Sequence, residues 1–412
     1  SPALVAVGFI VRLNIAILIF IGGALSWLIG IPILGNGLEY AANPLDGAWD
    51  IWSSKIRYIG VGAMVIGGLS SIYKVRNGLV DAIKVLKNSH ASSSAQALLG
   101  NQRNISSKSI NILSTLAIAL VGSVYYYITQ NAGIALLTTV IMVVMAFFFT
   151  AVASYIVGLV GNSNSPVSGM TITAVLFTGG LLYIFGFSGT EGMVATLGVA
   201  AIVCCAACTS GDVCNDLKTG QLVGASPYRQ QIMQIIGVGV ASLVMAPIMQ
   251  LLHENTPGGI GGRELAAPQA GLFASLANGF FGDGDLPWDM VSMGAVLGIF
   301  ILLGDSFLEK NKSSFRLHLM PVAVGMYLPF GLSTPILLGG LMAYFIDKQN
   351  KNDLEPDILL QNGILVSSGL IAGESLMGII LAFIAGAGIK SLNLGLDPTL
   401  INIATIFSVL IF

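Results

Sequence analysis

The chain has 412 residues, of which 55% are hydrophobic and 9% charged, with a net charge of −2 and a mean hydropathy of +0.84. Soluble domains carry about 25% charged residues, so the composition excludes a soluble globular domain and predicts a chain that lives in a bilayer. The near-neutral balance leaves no basic surface for nucleic acid.

About 20 apolar residues cross a bilayer as a helix. Such runs lie at 13–33, 56–73, 111–129, 134–158, 170–187, 192–208, 232–252, 289–306, 317–346, 364–389 and 400–412. The fold class expected is therefore all-α, a polytopic transmembrane helical bundle of about 11 spans forming one domain over 1–412. The 51 glycines suit such a bundle, because small residues let helix backbones approach. The run 317–346 is too long for one plain helix and holds Tyr327-Leu-Pro-Phe-Gly-Leu-Ser-Thr-Pro335, which predicts a broken or re-entrant helix.

Loop charge sets the expected orientation. The segment 74–110 carries Lys74, Arg76, Lys84, Lys87, Arg103 and Lys108 against Asp81, and reads as cytoplasmic. The loop 253–288, with Glu254, Glu264, Asp283 and Asp285, reads as external. Within it, Ala267-Pro-Gln-Ala270 leads into an apolar stretch that reads as a lid over an outer entrance or as a simple surface helix.

Part of the chain repeats. Val5-Ala-Val-Gly8 recurs as Val322-Ala-Val-Gly325, and Gly22-Gly23 as Gly339-Gly340, both at an offset of 317. Further on, Gly62 matches Gly369 at an offset of 307. The expected repeat units are 1–73 and 318–390, and the charge count has both enter from the cytoplasm. Repeats of this kind are common in secondary transporters.

The segment Asp216 to Pro227 is polar and glycine-punctuated between two apolar runs. Lipid cannot satisfy a loose backbone, so it is expected to lie in water or line a protein-walled cavity. Cys204, Cys205, Cys208 and Cys214 sit in or near an apolar run with no His or carboxylate at ligand spacing. No metal or cofactor is expected from them. No HExxH-type run or nucleophile pairing is present, so an enzyme is not expected. Both ends fall in or close to apolar runs and look cut, which reads as part of a longer protein.

Five motifs occur in order: Gly161-Asn-Ser-Asn-Ser-Pro-Val-Ser-Gly-Met-Thr171, Asp216-Leu-Lys-Thr-Gly220 with Gly224-Ala-Ser-Pro-Tyr-Arg-Gln-Gln231, Ala267-Pro-Gln-Ala270, Pro321-Val-Ala-Val-Gly-Met-Tyr-Leu-Pro329 and Gly369-Leu-Ile-Ala-Gly-Glu374. Together they resemble the oligopeptide transporter family, which includes the yellow-stripe-like metal-chelate transporters, and most of all a prokaryotic member. Family members open with spans and a Gly-Leu-Lys-x-Gly motif that this chain lacks, so the match is to the middle and C-terminal part of the pattern. The resemblance implies proton-coupled symport of small peptides or related compounds across the cell (inner) membrane. Metal chelates are the alternative substrate and a passive pore the alternative mechanism. The partners implied are a small-molecule substrate, protons and the lipid bilayer; a homo-oligomer stays open.

Glu374 is the candidate proton-coupling residue, because a carboxylate in mid-span needs a partner or a cavity. A structural carboxylate bonded to serine or backbone is the competing reading. Asp212, Asp216 and Lys218 offer both charge signs to a peptide, or belong to a solvated turn. Asn162, Asn164, Ser165 and Ser168 offer amides and hydroxyls next to a helix start, or simply cap it. Tyr327, Ser333 and Thr334 flank the expected break, where freed backbone groups can meet a substrate; Tyr327 reads equally as an interfacial aromatic.

Overall fold

The computed structural model describes residues 1–35, 44–74, 104–160, 167–262, 265, 267–282, 287–313, 315–350 and 356–387. In chain order the helices are α1 (Pro2–Ala24), a π-wound turn (Leu25–Gly30), α2 (Ile31–Gly35), α3 (Pro44–Ile51), a second π-wound turn (Trp52–Ile56) and α4 (Arg57–Lys74). Then follow α5 (Ser107–Thr129), α6 (Ala132–Val160), α7 (Val167–Ile184), α8 (Gly189–Val223), α9 (Pro227–Asn255), α10 (Pro268–Phe281) and α11 (Trp288–Lys310). The described chain closes with α12 (Leu319–Tyr327), α13 (Phe330–Asn350) and α14 (Pro356–Gly386).

Nine stretches among the described residues are long and apolar enough to cross a membrane. The sequence suggested eleven. The run 400–412 lies outside the described residues, as do most of 74–110 and Asn162, Asn164 and Ser165. The run 56–73 does form α4, but Arg57 and Lys74 at its ends dilute its apolar content.

The described chain divides into two compact units. One comprises Ser1–Gly60, Val244–Pro268 and Ile299–Phe412; the other comprises Val61–Leu243 and Gln269–Gly298.

In the first unit α1 packs along α12 and α13, and glycines set the distance. A Cβ at Gly8 would overlap the Ile336 carbonyl oxygen, and one at Gly22 the Val322 carbonyl. In return, a Cβ at Gly325 would overlap the Ile19 carbonyl, and one at Gly339 the Val5 carbonyl. Moving Gly8 and Ile19 forward by 317 gives Gly325 and Ile336, so each contact is the mirror of another. The same exchange relates Gly23 against Ser333 and Phe330 to Gly340 against Ala16 and Leu13. Low residue numbers on α1 meet high ones on α13, so these helices run antiparallel. Two antiparallel helices cannot both start from one face, which corrects the parallel entry suggested by loop charge. Loop charge reports on flanking lysines and arginines and knows nothing of helix contacts.

Both helices of this pair are interrupted, at matching places. Leu328 is extended (φ −78°, ψ 146°), ends α12 and precedes Pro329. At the position 317 before Pro329, Arg12 breaks α1 with φ 67° and ψ 165°, a region that residues other than glycine rarely adopt. The proline break was readable from sequence; the arginine break was not.

The second unit has an apolar core in which Tyr125 of α5, Met142, Phe149 and Ala153 of α6, Met170 and Ala174 of α7, and Val199 and Val203 of α8 are all buried. Helix α10 is no loose surface element: Phe281 is buried with Ile134, Leu182 and Ala195, and Phe280 closes on Gly179. Helix α8 runs unbroken through 35 residues, about 52 Å at 1.5 Å per residue. That exceeds the hydrocarbon thickness of about 30 Å, so its polar last turns extend past the apolar run. Asp216 to Val223 is therefore helical, correcting the irregular segment expected there. The true stop is Gly224, left-handed at φ 76°, where glycine carries no steric penalty.

Candidate functional site

A crevice of about 190 Å³ lies at the break between α12 and α13. Tyr327, Leu328 and Pro329 form one wall. Trp49 and Asp50 of α3, Trp52 and Ser53 of the second π-wound turn, and Arg57 of α4 form another. Gly261, Gly262 and Ala267 border it from the connection after α9. Gly261 there has φ 94° and donates its N–H to the Leu265 carbonyl at 2.8 Å, a backbone shape suited to glycine. Sites that enclose a whole small ligand measure about 300–1,000 Å³, so this crevice has room for one end of a larger substrate.

The π-wound turns fit this local arrangement, since each carries an extra residue that re-aims the side chains around it. Trp27 lies in one and Trp52 begins the other. With Trp49 they cluster, ring centres 5.2 Å apart for Trp27–Trp49, 5.3 Å for Trp49–Trp52 and 6.1 Å for Trp27–Trp52. The Arg57 guanidinium carbon sits 5.6 Å from the Tyr58 ring centre, 5.7 Å from Tyr327 and 6.0 Å from Trp52. Aromatic faces attract a guanidinium by about 0.5–2 kcal/mol each, depending on desolvation, so the three rings help to hold the side chain in place. The Nε of Arg57 and the indole Nε1 of Trp52 and Trp27 are buried with no hydrogen-bond partner.

A second crevice, of about 180 Å³, lies at the other break. Arg12, Leu13 and Asn14 of α1 line it with Ala343, Tyr344 and Asp347 of α13 and Leu360 of α14. Leu360 stands 307 after Ser53, and Arg12 stands 317 before Pro329.

Carboxylates meet the starts of both interrupted helices. Glu374, midway along α14, accepts a hydrogen bond from the Ala3 N–H at 2.7 Å and another from the Ser1 hydroxyl. Asp305 of α11 is buried, accepts the Leu317 N–H at 3.0 Å, and is gripped by Arg316 through Nε and Nη2, each at 2.9 Å. Hydrogen bonding to Asp305 pushes the Arg316 guanidinium still further above its ordinary value. The Arg316 guanidinium also reaches Glu309 at 3.0 Å.

Of the other sequence candidates in the first unit, Ser333 is fully buried against Gly23, its hydroxyl without a partner. The Thr334 hydroxyl points back to the Gly331 carbonyl at 3.4 Å. In the second unit, Asp216 accepts from the Gln234 amide at 2.5 Å and Lys218 donates to Gln221 at 3.0 Å. Asp216 lines an open groove with Arg229, Gln230, Met233 and Gln234. Asp212 lies one turn earlier on α8, and Ser168 is in the first turn of α7.

Sequence reasoning found Tyr327 and missed Trp49, Asp50, Trp52 and Arg57. A signal was present: three of the four tryptophans fall between positions 27 and 52, with Arg57 just beyond.

Residues 1–385 match the family described as OPT oligopeptide transporter protein. A Haemophilus influenzae protein described as "Putative oligopeptide transporter" is 32% identical over 95% of this chain and 66% of its own length. Two rice proteins are also similar. The "Probable metal-nicotianamine transporter YSL14" is 23% identical over 95% of this chain and 56% of itself. The "Iron-phytosiderophore transporter YSL15" is 24% identical over 62% of this chain and 39% of itself. The chain thus spans less than two thirds of the length of these relatives. No solved structure matches it.

Proposed function

Because this chain belongs to the oligopeptide transporter family, we propose that the complete protein is a secondary active transporter of the cell membrane, carrying small peptides in symport with protons. The observation that supports this most is the antiparallel crossing of two interrupted helices. Inverted repeats with broken helices place a substrate site between two arrangements that open alternately. In this reading 1–73 and 318–390 are inverted copies, and the two crevices are counterpart way-stations at the two breaks. Glu374 is the proton carrier: protonation weakens its hold on the Ala3 N–H of α1. Asp212, Asp216 and Lys218 offer both charge signs at the α8–α9 turn of the second unit. Metal chelates form a second reading, favoured by the descriptions of the rice relatives.

The test is reconstitution of the complete protein in liposomes with an inward proton gradient. Accumulation of tripeptide that collapses with a protonophore is expected. Glu374→Gln should abolish accumulation while leaving exchange of substrate down its own gradient. Equilibration without concentration in the wild type would instead indicate a pore, and normal accumulation by the variant would remove Glu374 from the coupling role.

A further inference from the structure

We infer that the crevice at the α12–α13 break is a subsite for a substrate carboxylate, held by Arg57 Nε and Trp52 Nε1. The inference builds on the transport reading by naming the chemical group one site recognises.

Three observations converge. First, the unpartnered polar atoms are donors. Arg57 Nε and Trp52 Nε1 are both buried and unpaired, and Trp52 is 8% exposed. Both atoms are closed to water in this state, and a buried donor left unsatisfied is unfavourable, so the arrangement persists more easily if an acceptor reaches them during the working cycle. Second, the donors belong to a cation and a neutral N–H, the pair that suits an anionic acceptor. A guanidinium offers a planar fork that matches a carboxylate. The rings of Trp52, Tyr58 and Tyr327 already hold that fork, so little side-chain freedom remains to be lost on binding. Third, the space fits a terminus. About 190 Å³ holds a carboxylate and its neighbouring atoms, with the rest of the ligand outside.

The counterpart crevice argues that this chemistry is particular to one copy. Each crevice has an arginine and an aspartate in its lining, Arg57 with Asp50 and Arg12 with Asp347, but at the offset of 307 the places of Trp52, Ser53 and Arg57 are taken by Leu359, Leu360 and Ile364. Lys218, the sequence candidate for a carboxylate, already donates to Gln221.

A carboxylate can come from a peptide terminus or from a metal chelate. The complete protein, purified in detergent, provides its own reporter, since Trp27, Trp49 and Trp52 adjoin or line the site and Trp288 is the one other tryptophan of these 412 residues. Fluorescence would be titrated with trialanine, trialaninamide and gallium citrate, whose metal is closed-shell and does not quench by itself. Trialanine, gallium citrate or both should bind at least tenfold more tightly than trialaninamide, and which one does so identifies the source. Arg57→Gln should erase that preference and Arg57→Lys keep part of it, with monodispersity confirming the fold of each. Equal binding of acid and amide, absence of binding by both carboxylates, or a preference that survives Arg57→Gln would each overturn the subsite. Liposome uptake, measured separately, tells its failure from that of the transport reading. Uptake without carboxylate preference sinks the subsite alone; carboxylate-selective binding without uptake sinks transport alone.

Discussion

The two helix breaks sit at matching points of the 317-residue register, yet they differ in backbone conformation and in what surrounds them. One is made by Pro329, which removes a helix hydrogen bond; the other holds Arg12 at φ 67° with no proline or glycine to ease it. One opens on an aromatic box around Arg57, the other on Tyr344 and Asp347. The difference teaches that the crossing geometry and the recognition chemistry are separable. Glycine contacts hold the helices, and the side chains around each break have diverged on that frame.

Breaking the frame should have the largest effect. Gly8→Val and Gly325→Val each drive a side chain into a backbone carbonyl of the partner helix. Overpacking a flexible neighbour costs about 1–3 kcal/mol, and a backbone neighbour yields less, so neither variant should give folded protein by size-exclusion profile. Because the two contacts are repeat counterparts, the losses should match. Gly331→Ala meets no atom within 4 Å and should change thermal stability by less than about 0.5 kcal/mol.

The helix starts come next. Asp305→Ala strips the acceptor from the Leu317 N–H and from Arg316, and should cost about 1–3 kcal/mol for the stranded amide, read as a lowered unfolding midpoint. Glu374→Ala removes the equivalent acceptor from Ala3, but Glu374 is exposed, so its effect on stability should be clearly smaller. Equal losses would mean that Glu374 is as structural as Asp305.

The smallest expected change sharpens the comparison most. Ser333 occupies the place of Ala16 in the other copy, and its hydroxyl is buried without a partner. Ser333→Ala should leave stability unchanged or raise it by about 1 kcal/mol. A drop in uptake with stability preserved would return Ser333 to the substrate site.

Much of this architecture was legible beforehand. The long apolar runs gave the helices, and Pro329 in an overlong run announced a break. The offset of 317 was visible in Val5-Ala-Val-Gly8 and Val322-Ala-Val-Gly325. What stayed hidden depends on contact between distant segments. Arg12 breaks α1 without any local marker, because its backbone is set by what surrounds it. Arg57 looked like the flank of a span, since nothing in a linear reading says that Tyr327 comes to lie against it. Asp216 to Val223 misled in the other direction: polarity suggested loose backbone, where the helix merely outlasts the bilayer.

The glycine crossing also bears on how such a chain can evolve. A tight contact between side chains can be repaired after mutation by trimming the opposite residue. Here the opposite atoms are carbonyl oxygens of Ile336, Val322, Ile19 and Val5, which every amino acid carries. No substitution across the contact can make room for a lost glycine. Ala16 and Ser333 meet the opposite glycines through side-chain atoms instead, so exchange among small residues is open there.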